Sequence, residues 1–436
     1  MKSEIQIPKS QSPRRAVVVS FDHLHAGFLG CCGNDWIETP NLDRLATEGV
    51  VFDQHFCENI DPTAANHAWW TGQYQFALDE NRQLEGRPFV NDLLARGVRT
   101  CLIVEADGRD DSAIAPPFAE VLEVRGSDGF DVLEAETPFA RVVKRSTDWL
   151  HESDSHSEPA LLWIKSRGVP APWVPPQAFA ELYLDEFGLA DDSGGETASD
   201  ETSDVEDPAA VVPEEEGSHS ESDGSLDWRY AAAMYAAYTT LIDRWLGKLL
   251  ATLTMSQGWN EALVIVTAGA GQSLGEHGRL ADENLQLRSE SVQTPLWIRV
   301  PGSDQMCTRR QDLVQTVDLA PTLLEWFCEG HPASFKAEPP PASVAGRSLL
   351  PLVRQEQVAP RDSIVMGNGR REWGIRTRNF FYVEAGDQNQ DSEHSPARLY
   401  EKPHDRWDQS DVLAQYPQVA EDLQAALASP TSAMHS

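Results

Sequence analysis

Basic residues are scarce in this chain. Its 436 residues include 35 Lys and Arg against 69 Asp and Glu, which gives a formal net charge of −34. Polyphosphate backbones and anionic lipid surfaces repel a strongly acidic protein, so the composition argues against nucleic acid or an anionic membrane surface as a partner. The partner itself, an unknown small molecule or a protein, is not identified by the charge.

Clustered cysteines and long hydrophobic runs are also missing. The six cysteines are scattered without a Cys-x-x-Cys pair, so the sequence predicts six reduced thiols rather than a zinc knuckle or a disulfide framework. The first apolar run, which begins at Ala16, is interrupted at Ser20 and is too short for a signal peptide or a membrane span. Together these absences predict a cytoplasmic protein without membrane insertion.

Short apolar runs alternate with helical patterns along most of the chain. The run Ala16-Val17-Val18-Val19 precedes a polar loop, which is typical of a buried parallel strand that ends at a site. Similar runs occur at residues 100–104, 160–164, 263–266 and 295–298. Thr39 and Pro40 mark a helix start, and residues 230–253 form a long apolar-periodic helix. The alternation predicts an α/β fold with a large, mostly parallel mixed β-sheet flanked by helices.

Two segments divide the chain. Residues 191–227 contain 14 acids and no Lys or Arg, which predicts a disordered acidic insertion, since such a tract cannot bury enough apolar surface to offset its ordering entropy. A proline-rich linker at residues 339–341 follows the first predicted domain, residues 1–335. The second domain, residues 336–436, is predicted to be a small antiparallel sheet with a final helix.

The order of motifs resembles the sulfatase family, which belongs to the alkaline phosphatase superfamily. The matching segments are residues 21–24, 29–33, 39–52, 71–74, 242–247, 274–278, 291–296, 317–322, 346–352 and 399–401. The resemblance spans the whole chain except the acidic segment, and it implies the alkaline phosphatase-like fold. It also implies a hydrolase of sulfate esters, in which a divalent cation holds the ester oxygens and a nucleophile attacks sulfur.

The metal-ligand positions that this resemblance implies are largely replaced. The first of two adjacent acids is present as Asp22, whereas the second position holds His23. Two further ligands, an acid followed by Asn or His, correspond to Gly269 and Ala270. Calcium, the ion that the family implies, prefers several carboxylate and amide oxygens, so the sequence predicts no resident cofactor. His23 suits a transition metal better than calcium.

The nucleophile position is replaced as well. The family carries Cys or Ser there and oxidises it to formylglycine, but no Cys or Ser lies between Cys57 and Thr71. When the family motif is aligned without a gap, Pro62 stands at the nucleophile position. One deletion places Thr63 there and His67 where the family has an arginine. Thr-x-x-Asn-His also resembles the nucleophile motif of nucleotide pyrophosphatase/phosphodiesterases, in which two zinc ions activate a threonine. A threonine hydroxyl needs such activation, so Thr63 is interpreted instead as a turn or N-cap residue.

Positions that should carry cations or an imidazole for the sulfate are replaced too. Glu105 and Asp107 stand where the resemblance implies a lysine and a histidine after the second strand. Arg167 stands where a histidine follows the third strand, and the lysine expected near residue 284 corresponds to Asn284. The two acids would repel a sulfate, so an anionic substrate is disfavoured there.

Three hypotheses follow. The first is a non-catalytic sulfatase homologue with a binding or regulatory role. The alternative is a divergent metal-dependent hydrolase of sulfuric or phosphoric esters that uses Thr63, with Asp22, His23 and His67 around a zinc or manganese ion. A third hypothesis assigns the acidic segment 191–227 to contact with a basic partner.

Overall fold

The computed structural model describes residues 14–76, 86–106, 117–169, 171–184, 224–280, 286–328, 345–369, 371–386 and 396–434. Most of the predicted acidic insertion, residues 191–223, lies outside these ranges, as does the predicted domain boundary at 335/336. Residues 224–227 are described, and they begin a helix. The predicted insertion, residues 191–227, therefore overlaps the start of this helix by four residues.

Most of the described chain before residue 330 is organised around one large sheet. Its strands and a separate two-stranded pair are β1 (Arg15–His23), β2 (Val50–Phe52), β3 (His55–Phe56), β4 (Arg99–Glu105), β5 (Glu120–Val124), β6 (Ala160–Gly168), β7 (Leu263–Ala270), β8 (Leu296–Arg299), β9 (Thr308–Arg310) and β10 (Val314–Gln315). Eight of them form a sheet in the order β5-β4-β6-β1-β7-β8-β2-β9, and β3 pairs with β10. Only β8 runs against its neighbours in the large sheet, so the sheet is mixed and mostly parallel, as predicted.

Helices cover both faces of the sheet. They are α1 (Pro40–Glu48), α2 (Pro62–Thr71), α3 (Val90–Ala95), α4 (Pro138–Ser153), α5 (Gln177–Leu184), α6 (Gly224–Met255), α7 (Ser289–Val292), α8 (Leu319–Cys328), α9 (Leu350–Val353) and α10 (Pro417–Met434). Alternate residues of each strand face opposite sides. Val17 and Val19 of β1 therefore pack with α4 and α6, whereas Ala16 and Val18 pack on the side of α2 and α8.

The last part of the chain forms a second, smaller sheet. Its strands are β11 (Ser363–Asn368), β12 (Glu372–Thr377), β13 (Phe380–Ala385) and β14 (Arg398–Glu401), all antiparallel in that order. The final helix α10 packs against this sheet, which confirms the predicted antiparallel sheet and helix. One cluster joins Phe56 and Ile60 to Met366 and Phe381, so the small sheet packs against the first part of the chain.

Two buried aspartates fasten segments that are distant in sequence. The Asp243 carboxylate on α6 accepts hydrogen bonds from the backbone N–H groups of Asn41 and Leu42, at 3.1 and 2.7 Å, and so caps the start of α1. Gly247, one turn further along α6, makes room for this contact, because a Cβ there would lie 2.3 Å from the Asn41 side-chain oxygen. Thr39, the predicted N-cap, makes no capping bond.

Asp318 makes a similar connection. Its carboxylate accepts hydrogen bonds from the backbone N–H groups of Gln315 and Arg347, at 2.9 and 2.7 Å, and from the Arg361 guanidinium. It thereby connects residues on either side of the proline-rich segment through one side chain.

All six cysteines are free thiols. Among the described residues, no helix has both the length and the apolar composition needed to cross a membrane.

Candidate functional site

The ends of β1 and β7 bring Asp22 and Gly269 together. The two strands pair in parallel, with Phe21 beside Ala268 and His23 beside Ala270, so that Asp22 and Gly269 lie side by side. The carboxyl ends of parallel strands in an open α/β sheet are where such folds build their sites. The structure thus brings two of the predicted site positions together at this edge of the sheet.

A lysine lies against the Asp22 carboxylate. Lys165 on β6 pairs with Ser20 of β1, so its side chain lies on the same face as Ser20 and Asp22. Its Nζ donates a hydrogen bond to Asp22 Oδ2 at 3.0 Å. The Lys165 side chain is only 5% exposed and that of Asp22 13%. The ammonium group thus neutralises the one family carboxylate that the chain retains.

Gly269 lies against helix α2, which leaves little space for a side chain at this position. A Cβ at this position would lie 3.0 Å from the Ala65 Cβ and 3.2 Å from the edge of the Trp69 ring. Both residues are fully buried on α2. Ala270 is also buried, and its carbonyl accepts a hydrogen bond from the Leu24 N–H at 3.0 Å. At one of the two positions where the resemblance implies a metal ligand, the backbone is therefore closely packed against α2.

His23 is bonded to the backbone beside Asp22. Its Nδ1 lies 3.3 Å from the carbonyl oxygen of Gly271, so Nδ1 carries the proton and donates it. Burial lowers the pKa of His23, and the nearby Asp22 carboxylate only partly opposes this effect. The imidazole is neutral at pH 7, and its Nε2 holds the lone pair.

The candidate nucleophile lies at the start of α2. Asp61 is the N-cap, since its carboxylate accepts a hydrogen bond from the Thr63 N–H at 2.7 Å. Of the two predicted roles of Thr63, a turn or an N-cap residue, the N-cap is wrong: Pro62 and Thr63 occupy the first turn of the helix, where proline is favoured because it needs no N–H. Within the described part of the chain, no hydrogen bond joins the Thr63 hydroxyl to an imidazole or a carboxylate.

His67 is a buried helix residue. The Thr71 hydroxyl donates to the His67 carbonyl oxygen at 2.8 Å and lies 3.4 Å from His67 Nδ1, so this nitrogen is the donor between the two side chains. Burial lowers the pKa of His67 to about 4, since it disfavours the charged imidazolium. His67 stays neutral and does not supply the positive charge of the arginine it replaces.

Glu105 and Arg167 occupy the next strands of the same edge. The Ser166 hydroxyl and the Arg167 backbone N–H donate hydrogen bonds to Glu105 Oε2 at 2.6 and 3.1 Å. Burial nevertheless raises the pKa of Glu105 to about 7. The other two replaced positions, Asp107 and Asn284, lie outside the described residues.

The side chains at this edge do not fit a calcium ion. Calcium takes six to eight oxygen ligands, several of them carboxylates. Here one carboxylate is already paired with an ammonium group, and the neighbouring position is a tightly packed glycine. Across the residues that the structure describes, no three His, Cys, Asp or Glu side chains converge to hold a metal ion.

Comparison with known protein families identifies the chain. The family model described as Sulfatase matches residues 14–329, which is most of the sequence. The chain belongs to the sulfatase family. A second family model, described as the C-terminal part of N-sulphoglucosamine sulphohydrolase, matches residues 275–384 of this sulfatase-family protein.

Individual relatives are similar to it at low identity. The multifunctional alkaline phosphatase superfamily protein PehA of Trinickia caryophylli is 26% identical over 73% of this chain and 72% of its own length. The N-acetylglucosamine-6-O-sulfatase of Bacteroides thetaiotaomicron is 22% identical over 86% of this chain and 79% of its own. The phosphonate monoester hydrolase of Agrobacterium radiobacter superposes with a TM-score of 0.70 and 18% identity, covering 96% and 95% of the two chains. These similarities confirm the predicted fold.

The lysine at the centre of the site was missed by the sequence reasoning. Lys165 follows the buried run 161–164 directly, and a charged residue that continues a buried strand is rare unless it has a partner. That signal indicates a buried ion pair. The partner required the order of strands in the sheet, because β1 and β6 are neighbours in space but not in sequence.

Proposed function

We propose that this chain is a non-catalytic member of the sulfatase family with a binding or regulatory role. The observation that carries the proposal is the contact between Lys165 Nζ and Asp22 Oδ2. An ester hydrolase of this kind needs a divalent cation beside that carboxylate, both to polarise the ester and to activate the nucleophile. An ammonium group neutralises the carboxylate but offers no empty coordination position to a substrate oxygen.

The packing around Gly269 supports the same proposal. Replacing a ligand acid by glycine alone would leave a hollow at the strand end, which water or another ligand side chain can fill. Instead, Ala65 and Trp69 of α2 lie within van der Waals distance of the position where a side chain would begin. The glycine and the close packing are consistent with each other. A ligand side chain at this position would require the space that α2 occupies, and α2 can approach this closely only because the residue is a glycine.

The replaced nucleophile supports it independently. Residues 58–70 contain no Cys or Ser, so the formylglycine that the family resemblance implies has no precursor there. Thr63 is the remaining hydroxyl, and a neutral threonine is a weak nucleophile without a metal or a base. His67, one helical turn away, directs its Nδ1 proton to Thr71.

A direct test measures the turnover of candidate substrates. Purified protein is assayed with an aryl sulfate, a phosphonate monoester and N-acetylglucosamine-6-sulfate, the last two chosen because similar proteins carry these activities in their names. We expect no turnover above buffer, and no difference between wild type, Asp22→Asn and Asp35→Asn, an exposed control. Turnover that Asp22→Asn abolishes and Asp35→Asn retains would refute the proposal.

The alternative, a divergent metal-dependent hydrolase that uses Thr63, has two observations in its favour. Asp22 Oδ1 is buried and lacks a hydrogen-bond partner among the described residues, and His23 is neutral with its Nε2 lone pair unprotonated. The imidazole suits a transition metal such as zinc better than calcium, and the carboxylate can bind either kind of ion. Elemental analysis after purification with both metals supplied distinguishes the proposals: a stoichiometric ion that Asp22→Asn removes, together with loss of activity in Thr63→Val, would support the hydrolase.

A further inference from the structure

A basic cleft lies between the large sheet and the small C-terminal sheet. Its volume is about 220 Å³, and it is lined by residues that follow β2, precede β8, lie in β9 and β12, and follow β14. Four of the lining side chains are cations and one is an acid: Arg309, Arg376, Lys402, Arg406 and Asp53. With Asp408, the ion-pair partner of Lys402, four positive charges and two negative give a local charge of +2 in a chain whose net charge is −34.

Two of these cations already have carboxylate partners. Arg309 donates to both oxygens of Asp53, and the Lys402 ammonium group donates to Asp408 and, at 3.0 Å, to the Ser289 hydroxyl. Their charges are compensated within the protein. Arg376 and Arg406 are different, because neither forms an ion pair with a carboxylate within the described ranges.

Arg376 is the more informative of the two. It is only 4% exposed, and its single hydrogen bond runs from Nη2 to the neutral Gln54 side chain at 3.2 Å. Its Nη1 is buried and has no hydrogen-bond partner in the described structure. Burial lowers the pKa of Arg376 to about 10, and Asp408 only partly opposes this effect. A buried, uncompensated guanidinium is costly, and it is normally matched by an anion that accepts its N–H groups.

Arg406 lies at the exposed rim of the same cleft. Its Nη2 donates to the Cys32 carbonyl oxygen at 3.1 Å, and its guanidinium lies over the Trp407 ring at 4.6 Å from the centroid. Both contacts hold the side chain in place without neutralising it. The cleft thus has one buried and one exposed guanidinium, with the neutral side chains of Gln293 and Thr294 also in its lining.

We propose that this cleft binds a small molecule through an oxyanion group, a carboxylate, sulfate or phosphate, held by the guanidinium groups of Arg376 and Arg406. Guanidinium forks match the geometry of such groups and form charge-assisted hydrogen bonds with them. The volume is below the roughly 300 to 1,000 Å³ of pockets for drug-sized ligands, so the ligand is a small acid and not a polymer segment. None of the lining residues belongs to the Asp22 site, so this proposal stands or falls independently of the proposed function.

The test is calorimetric titration of the full chain with inorganic sulfate, inorganic phosphate and malonate, at one ionic strength set with sodium chloride. We expect saturable binding of at least one anion, and the anion bound most tightly identifies the group that the cleft selects. Higher salt should weaken the binding, because the guanidinium at the rim is solvent-accessible.

Three variants make the test specific. Arg376→Gln should weaken binding at least about tenfold, the effect of one lost charge-assisted hydrogen bond. Arg406→Gln should do the same, and because its side chain is exposed it keeps the test valid if Arg376→Gln fails to fold. Arg310→Gln, which is adjacent to Arg309 but does not line the cleft, should bind as wild type does. Absence of saturable binding at millimolar anion, or equal weakening in Arg310→Gln, would overturn the proposal.

Discussion

Replacing Lys165 by methionine tests the ion pair on which the proposed function rests. The variant keeps most of the side-chain volume and removes the ammonium group, leaving Asp22 in place without its partner. Removing one member of a buried pair typically costs 3 to 5 kcal/mol, because the other charge remains desolvated. The Asp22 side chain is 13% exposed, so water will partly compensate it, and we expect a loss near the lower limit, about 3 kcal/mol.

Equilibrium unfolding in urea, followed by tryptophan fluorescence, measures this loss. Lys144→Met is the matched control, because the Lys144 side chain is 47% exposed and its nearest carboxylate oxygen, on Glu136, is 3.9 Å away. Surface pairs of this kind contribute about 0 to 1 kcal/mol.

Asp22→Asn and the double variant complete a thermodynamic cycle with Lys165→Met. If the ammonium group compensates Asp22, the double variant should be more stable than the sum of the single losses predicts, by about 2 kcal/mol. An additive cycle, or a loss no larger than that of Lys144→Met, would show that Lys165 does not neutralise this carboxylate.

Three further changes test the site. Gly269→Asp restores an acid at the ligand position but crowds Ala65 and Trp69, so we expect it to lower the free energy of unfolding in urea by about 1 to 3 kcal/mol. A melting temperature of this variant that rises with added calcium would contradict the expectation. His67 has a pKa of about 4 in the folded protein, below its value in the unfolded chain, so its protonation in the unfolded chain lowers stability as pH falls from about 6.5 to 4. His67→Gln should remove up to about 3 kcal/mol of this loss. An unchanged dependence of stability on pH would argue against a neutral buried imidazole. Glu105 has a pKa of about 7 in the folded protein, above its value in the unfolded chain, so its ionisation lowers stability as pH rises from about 4.5 to 7. Glu105→Gln should therefore gain stability relative to wild type as pH rises through that range, measured by urea unfolding at each pH. A constant difference in stability between the two proteins would contradict this.

The fold was predictable because its signals are local. The apolar run at residues 263–266 and the long periodic segment at 230–253 became β7 and α6, with boundaries that differ by a few residues. The reversed direction of β8 was not predicted, since an apolar run does not record the direction of a strand. Asp61 was not predicted as the N-cap of α2, because only the backbone conformation distinguishes an N-cap from a residue of the first turn.

The sequence placed a candidate site at the end of β1, but it did not reveal all the side-chain contacts there. Comparison of motifs identified Asp22 as the retained acid and His23, Gly269 and Ala270 as altered positions, and the structure places Asp22 beside Gly269. The role of Lys165 depends on strand order, and the close approach of Trp69 depends on where α2 packs. The basic cleft was not predicted at all, because Arg376 and Arg406 belong to different segments and neither forms part of a recognisable motif.

The cap that Asp243 provides for α1 has a consequence for how activity is inferred from sequence. The segments 39–52 and 242–247 contributed strongly to the resemblance, yet their most characteristic residues join two helices and do not contact the Asp22 carboxylate. A polypeptide can therefore replace every reactive group at the strand ends and still keep the contacts between Asp243 and α1, because the two groups of residues do not overlap. Sequence similarity concentrated in such contacts between helices indicates a shared architecture. Whether a given family member turns over substrate has to be decided from the residues at the strand ends alone.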